Sequence, residues 1–125
     1  MLTNTRATAM LPVVDMARAR AFYEQALGLP APRVRPNGEA RYDAGGLSFA
    51  LYPRTTPTRA DHTALSFEVP DLSAEMRALR TRGVCFEDYD LPGIKTVRGV
   101  ATMGEHKAAW FKDPDGNVIA LHQGV

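Results

Sequence analysis

Side chains able to do chemistry are sparse in this chain: it has 3 histidines, 1 cysteine and 14 acidic residues among 125. Imidazole can ligate a metal or carry a proton near neutral pH, so His62 and His122 are the first candidates, with Glu68 as a nearby carboxylate. From His62 to Val69 the residue types alternate. Leu65, Phe67 and Val69 share one strand face, and His62, Ala64, Ser66 and Glu68 share the other, because successive strand side chains point to opposite sides. The apolar set is expected to pack on helices. The second set either faces water or lines a wet cavity. The same parity separates Leu47, Phe49 and Leu51 from Ser48, Ala50 and Tyr52. Near the end, Ile119 and Leu121 are set for the core, with Val118, Ala120 and His122 opposite.

The remaining reactive groups read more plainly. Cys85 lies in an apolar stretch after a predicted helix and is expected to pack in the core, since a reactive thiol needs a cationic, partly open setting. His106, beside Glu105, falls in a Gly-rich segment (90–106) that reads as a strand plus a mobile loop. Asp113-Pro114-Asp115-Gly116-Asn117 is a turn signal, with Pro presetting φ and Gly supplying φ > 0. Its two aspartates are expected as turn residues rather than catalytic acids. Tyr23 is expected as a packed helix residue.

The elements that must hold these groups come as a repeat. Leu11 to Met16 is followed by a helical pattern (Ala19, Phe22, Tyr23, Ala26, Leu27) ending at Gly28. Phe67 to Leu72 is followed by another (Leu72, Met76, Leu79) ending at Gly83. Asp15 and Asp71 stand where a side-chain oxygen can accept from the first free helical N–H groups. Gly28 and Gly83 suit the left-handed residue that ends a helix. Strands are predicted at 33–35, 40–43, 47–52, 108–112 and 118–122, with Asn37-Gly38 and Gly45-Gly46 as turns. The expected organisation is one domain over residues 1–125. Residues 1–53 form a first βαβββ unit, 54–61 a polar, proline-bearing linker, and 62–125 a second unit.

Composition narrows the function classes. Formal net charge is +1 from 15 basic and 14 acidic residues, with no run of like charge to attract nucleic acid or an anionic membrane. No apolar stretch approaches the length of a membrane span, and Met1 to Met10 lacks the apolar centre of a secretion signal. A cytoplasmic location is expected.

These features together resemble the vicinal oxygen chelate superfamily, which includes glyoxalase I, bleomycin-resistance proteins, fosfomycin-resistance proteins and extradiol dioxygenases. The residues that carry the resemblance are Val14-Asp15, Phe22-Tyr23 with Leu27-Gly28-Leu29, Val69-Pro70-Asp71-Leu72, Gly83-Val84, and Trp110 to Asn117. The resemblance implies an α+β fold in which two tandem βαβββ modules form curved mixed β-sheets around a central cavity, helices on the outside. Homodimers are common in such proteins. It also implies a divalent metal held by His and Glu on the first and last strands of each unit. Counted from the motifs, those positions are Thr8, Ala50 or Tyr52, Ala64, and Ala120. None is a His, Asp or Glu, so no metal and no cofactor is expected.

The leading expectation is therefore a metal-independent protein that binds a small organic ligand, such as an aromatic antibiotic or metabolite, by sequestration. Ser48, Tyr52, His62, Ser66, Glu68 and His122 would line or rim the pocket with polar groups, and Met10, Met103 and Trp110 would form apolar walls. One alternative is an enzyme, with a displaced metal site on His62, His122 and Glu68, or with His62 or Glu68 as a metal-free general base. Another is a vestigial pocket in a dimeric regulatory or structural protein.

Overall fold

In the computed structural model, residues 1–124 are described. Ten strands and two helices follow in the order β1 (Thr8–Val13), α1 (Met16–Ala21), β2 (Arg33–Val34), β3 (Ala40–Ala44), β4 (Leu47–Pro53), β5 (Thr63–Glu68), α2 (Leu72–Thr81), β6 (Asp90–Leu91), β7 (Ile94–Val97), β8 (Val100–Met103), β9 (His106–Lys112) and β10 (Val118–Gln123). Two sheets result, with strand orders β1-β4-β3-β2 and β5-β10-β9-β8-β7-β6. In each, the first strand pairs in parallel with the last, and the remaining pairings are antiparallel. The α+β architecture with mixed sheets follows the repeat read from the sequence.

Both helices begin as their residues dictate. The Asp15 carboxylate accepts from Arg18 N at 3.1 Å, and the Asp71 carboxylate accepts from Ala74 N at 3.1 Å. Such a cap satisfies one otherwise free donor and contributes about 1 kcal/mol. Gly28 and Gly83, just past the helical segments, have φ of 77° and 89°. The end of α1 departs from expectation. Residues Phe22–Ala26 widen into a π-helical turn, in which Leu27 N donates to Phe22 O at 3.0 Å. Such turns insert a residue into the helical repeat. The neighbouring rings Phe22 and Tyr23 both turn inward, Phe22 onto Phe111 at 6.1 Å and Tyr23 onto Phe49 at 5.7 Å.

A single core spans both sheets. Leu11, Val13, Phe49 and Leu51 from the first half join Leu65, Phe111, Ile119 and Leu121 from the second, with Met76 and Leu79 of α2 packed against them. β1 lies beside β5, so the two halves of one chain are packed side by side. A polar clasp closes this joint. Tyr23 Oη donates to Asp113 Oδ2 at 2.7 Å, Asn117 Nδ2 donates to Asp113 Oδ2 and to Pro12 O, and Val14 N donates to Asp115 Oδ1 at 2.7 Å. Asp113 Oδ1 also accepts from the backbone N–H groups of Asp115 and Asn117. Asp113 and Asp115 are turn residues, as expected, and they are also the buried centre of the contact between the halves. Burial, and then the Asp113 carboxylate, push the Tyr23 hydroxyl well above its ordinary pKa, so it stays protonated and donating.

Two expectations are corrected. Cys85 is exposed rather than packed in the core. In its neighbourhood Val84 is buried and Phe86 pairs with Phe111, so the inward positions are already filled on either side. The 90–106 segment, read as a strand plus a mobile loop, instead holds three short antiparallel strands, β6 to β8, that extend the second sheet. The β7–β8 turn is Arg98-Gly99, with φ of 53° and 83°, the paired positive values of a two-residue hairpin turn. Asp88 holds that turn, accepting from Gly99 N and Thr96 Oγ1, each at 2.8 Å. His106 consequently starts β9 and is half-buried.

Candidate functional site: the open sheet faces

With the helices and core on one side, each sheet presents its other side outward. In the second sheet, register fixes which residues share that face. Ala120 lies between Trp110 and Ser66, His122 lies between Ala108 and Glu68, and Met103 faces His106. Ser66 Oγ and His122 Nδ1 are 2.6 Å apart across the β5–β10 pair. A hydrogen bond to one ring nitrogen fixes the orientation of the imidazole and leaves Nε2 for another partner. The Trp110 indole is half-buried, donating to Thr63 Oγ1 at 3.0 Å and meeting Tyr89 edge-on at 5.6 Å. Trp110 is thus outside the core and held at a fixed angle over a floor of alanines.

His62 is not brought to His122. It precedes Thr63, which pairs with Val118, whereas His122 pairs with Glu68 at the other end of the same ladder. At about 3.3 Å per residue, that is close to 20 Å. The two imidazoles cannot grip one cation, which removes the displaced metal site as first conceived.

In the first sheet, the open face carries Thr8 beside Ser48, and Met10 beside Ala50. Ala50 faces Arg41, and Ser48 faces Asp43. Met10 is 46% exposed. Tyr52, opposite Pro12, is half-buried. The Ser48 hydroxyl donates to Asp43 Oδ1. Sequence reasoning missed the charged residues of this face. Arg41 donates to Glu39 Oε1 at 3.3 Å and Arg33 donates to Asp43 Oδ2 at 3.5 Å. The available signal was parity: Arg33 and Arg41 fall in strands read correctly from their flanking turns, and the register opposes them directly.

The metal implied by the resemblance does not fit these residues. A bound divalent ion needs several N, O or S donors converging on one point. Ala50, Ala64 and Ala120 have none on their side chains, and Thr8 and Tyr52 offer only neutral hydroxyls. Among the described residues, no three His, Cys, Asp or Glu side chains group in a way that would hold a metal ion. No helix is long and apolar enough to cross a membrane.

Comparison with known proteins places this geometry. The family model described as Glyoxalase/Bleomycin resistance protein/Dioxygenase superfamily matches residues 6–121. The chain is 32% identical over 119 residues to the metallothiol transferase FosB of Shouchella clausii (strain KSM-K16), covering 90% of this chain and 75% of that protein. Among solved structures, it resembles lactoylglutathione lyase from Agrobacterium tumefaciens with a TM-score of 0.72 at 16% identity, covering 97% of this chain and 94% of that one. It also resembles the fosfomycin resistance protein FosX from Listeria monocytogenes, complexed with Mn(II) and sulfate, with a TM-score of 0.73 at 15% identity, covering 98% and 91%. These last two likenesses concern the fold. With the family model and the FosB relative together, the chain belongs to the glyoxalase, bleomycin resistance protein and dioxygenase superfamily.

Proposed function

We propose that this protein binds a small organic molecule with an aromatic part and acts by sequestering it, without a metal. The observation that carries the reading is the second sheet's open face. Ala120, at a position where the resemblance implies a metal ligand, is in register with Trp110 and leaves a shallow apolar floor beside it, and the Ser66–His122 pair supplies polar contacts at its edge. Aromatic walls give affinity by burying area, and a few fixed polar groups orient the ligand. Met10, Ser48 and Tyr52 of the first sheet, and His62, Glu68 and Met103 of the second, are proposed contacts or rim residues. A second chain covering the open faces would complete the enclosure, so a homodimer is part of this reading. The likeness to a structure named as a fosfomycin resistance protein makes antibiotics a reasonable first ligand set.

The test is a thermal-shift screen run in parallel with divalent metals and with aromatic antibiotics, plus elemental analysis of the purified protein. A ligand that binds only the folded state raises the apparent melting temperature. Stabilisation by an aromatic compound, unaffected by chelator and reduced in Trp110→Ala, supports the reading. A stoichiometric transition metal in the purified protein would overturn it.

One observation favours a second reading, metal-free general-base catalysis. His122, held by Ser66 with Nε2 left over, is better oriented for proton transfer than His62 or Glu68. Turnover of a bound ligand that is abolished by His122→Gln would establish it.

A further inference from the structure

The first sheet's open face carries a cavity of about 700 Å³ with Arg6, Thr8, Arg33, Arg41, Asp43 and Ser48 in its wall. Three features of its electrostatics stand out. Arg33 and Arg41 are direct cross-strand partners, and like charges directly opposite one another destabilise a sheet. The carboxylates at hand are Glu39 and Asp43, against three guanidinium groups, which leaves one positive charge in excess. Arg6 makes no ion pair among the described residues.

The hydrogen-bonding inventory agrees with the charge. A guanidinium has five N–H donors arranged as a planar fork. Arg41 uses Nη2 toward Glu39, while its Nε is buried with no hydrogen-bond partner. A buried donor left unmade costs free energy. Asp43 is already divided between the Ser48 hydroxyl and Arg33, so it has little capacity to neutralise a further cation.

We propose that this cavity is an oxyanion-binding site, taking a carboxylate or phosphoryl group through Arg33 and Arg41, with Arg6 closing over it. Guanidinium groups recognise both oxyanions in the same bidentate manner. An anion placed between Arg33 and Arg41 turns their repulsion into shared attraction and supplies acceptors to the unused donors. This site lies on the other sheet from the Trp110 face and holds whether or not that face binds an aromatic ligand.

The test uses the intact protein with inorganic phosphate and with succinate as probes, each matched against sodium chloride at equal ionic strength. Saturable stabilisation is expected from one or both probes; phosphate alone would point to a phosphoryl ligand and succinate alone to a carboxylate. Arg33→Gln and Arg6→Gln, at exposed positions, should each weaken binding about tenfold, consistent with the loss of a charge-assisted bond. Arg77→Gln, exposed on α2, should leave it unchanged. The Arg41 Nε–H resonance should move on titration in the wild type. Absence of any stabilisation beyond that of chloride would overturn the proposal. Stabilisation that survives in the Arg6→Gln/Arg33→Gln double variant, with an unmoved Arg41 resonance, would overturn it equally.

Discussion

The two halves share a topology and differ in the chemistry of their open faces. In both, a first strand runs parallel to the last, a helix starts at an aspartate cap, and alternate strand residues enter the common core. On the other side, the first sheet shows paired charges, Arg33 with Asp43 and Arg41 with Glu39. The second shows alanines, Trp110 and the Ser66–His122 pair. Strand parity explains how this is possible. Residues facing the core fix the fold, and their neighbours one position away are free to differ without disturbing it. Sharing a fold with a structure complexed with Mn(II) therefore does not by itself supply a metal site.

The comparison can be broken most forcefully at the clasp, which belongs to both halves. Asp113→Ala removes the acceptor for Tyr23, Asn117 and two backbone N–H groups. It should cost about 3 kcal/mol, as loss of a buried hydrogen-bonded group does. Urea denaturation measures it, and a change within ±0.5 kcal/mol would mean that the joint does not depend on this carboxylate. Next in size is Gly99→Ala. The backbone there has φ of 83°, and a Cβ would meet Phe86 Cβ at 3.2 Å and Met76 Cε at 3.3 Å. A loss of about 1–2 kcal/mol, confined to the second half, is expected. Hydrogen exchange should show it in β7 and β8 first.

Smaller effects sharpen the contrast between faces. Trp110→Ala should weaken an aromatic ligand by roughly 3- to 10-fold, the range of one aromatic pair, while leaving phosphate binding at the arginine cavity intact. Isothermal titration with both ligands separates the two. The smallest effect is a pH dependence. Glu24 accepts from Arg20 at 2.9 Å and from the Tyr42 hydroxyl at 2.8 Å. The Arg20 hydrogen bond, aided by Tyr42, holds its carboxyl below the ordinary value of 4.5. Because the folded pKa is the lower one, the stabilisation is complete above the unfolded value and is lost as pH falls through the folded value. Glu24→Gln should thus be slightly less stable than wild type at neutral pH, with the gap closing below about pH 4. A gap that stays constant with pH would rule out the carboxylate as its source.

Much of the fold was legible because its signals are local. The Asp caps, the helical periodicity, the glycines after each helix and the Asp-Pro-Asp-Gly-Asn turn each follow from a few adjacent residues. The parity of Leu65, Phe67, Ile119 and Leu121 gave the core side of the second sheet. What escaped depends on partners distant in sequence. Cys85 sits among apolar neighbours, yet Val84 and Phe86 take the inward positions. The short strands β6 to β8 have weak patterns of their own and are held by pairing and by Asp88. The cavity of Arg6, Arg33 and Arg41 required knowing that β2 and β3 oppose two arginines. Ser66 and His122 were each singled out, but only the parallel pairing of β5 with β10 puts them in contact.

The clasp also bears on how the chain comes together in time. Val14 and Asp115 are 101 positions apart, and Pro12 and Asn117 are 105 apart. During synthesis the first half must wait, its edge unsealed, until Asp115 and Asn117 leave the ribosome. Contacts of such span slow folding, because much chain must be ordered before they form. A chain cut short before Asp113 would strand both halves, because Tyr23, Val14 and Pro12 would all lose their partners.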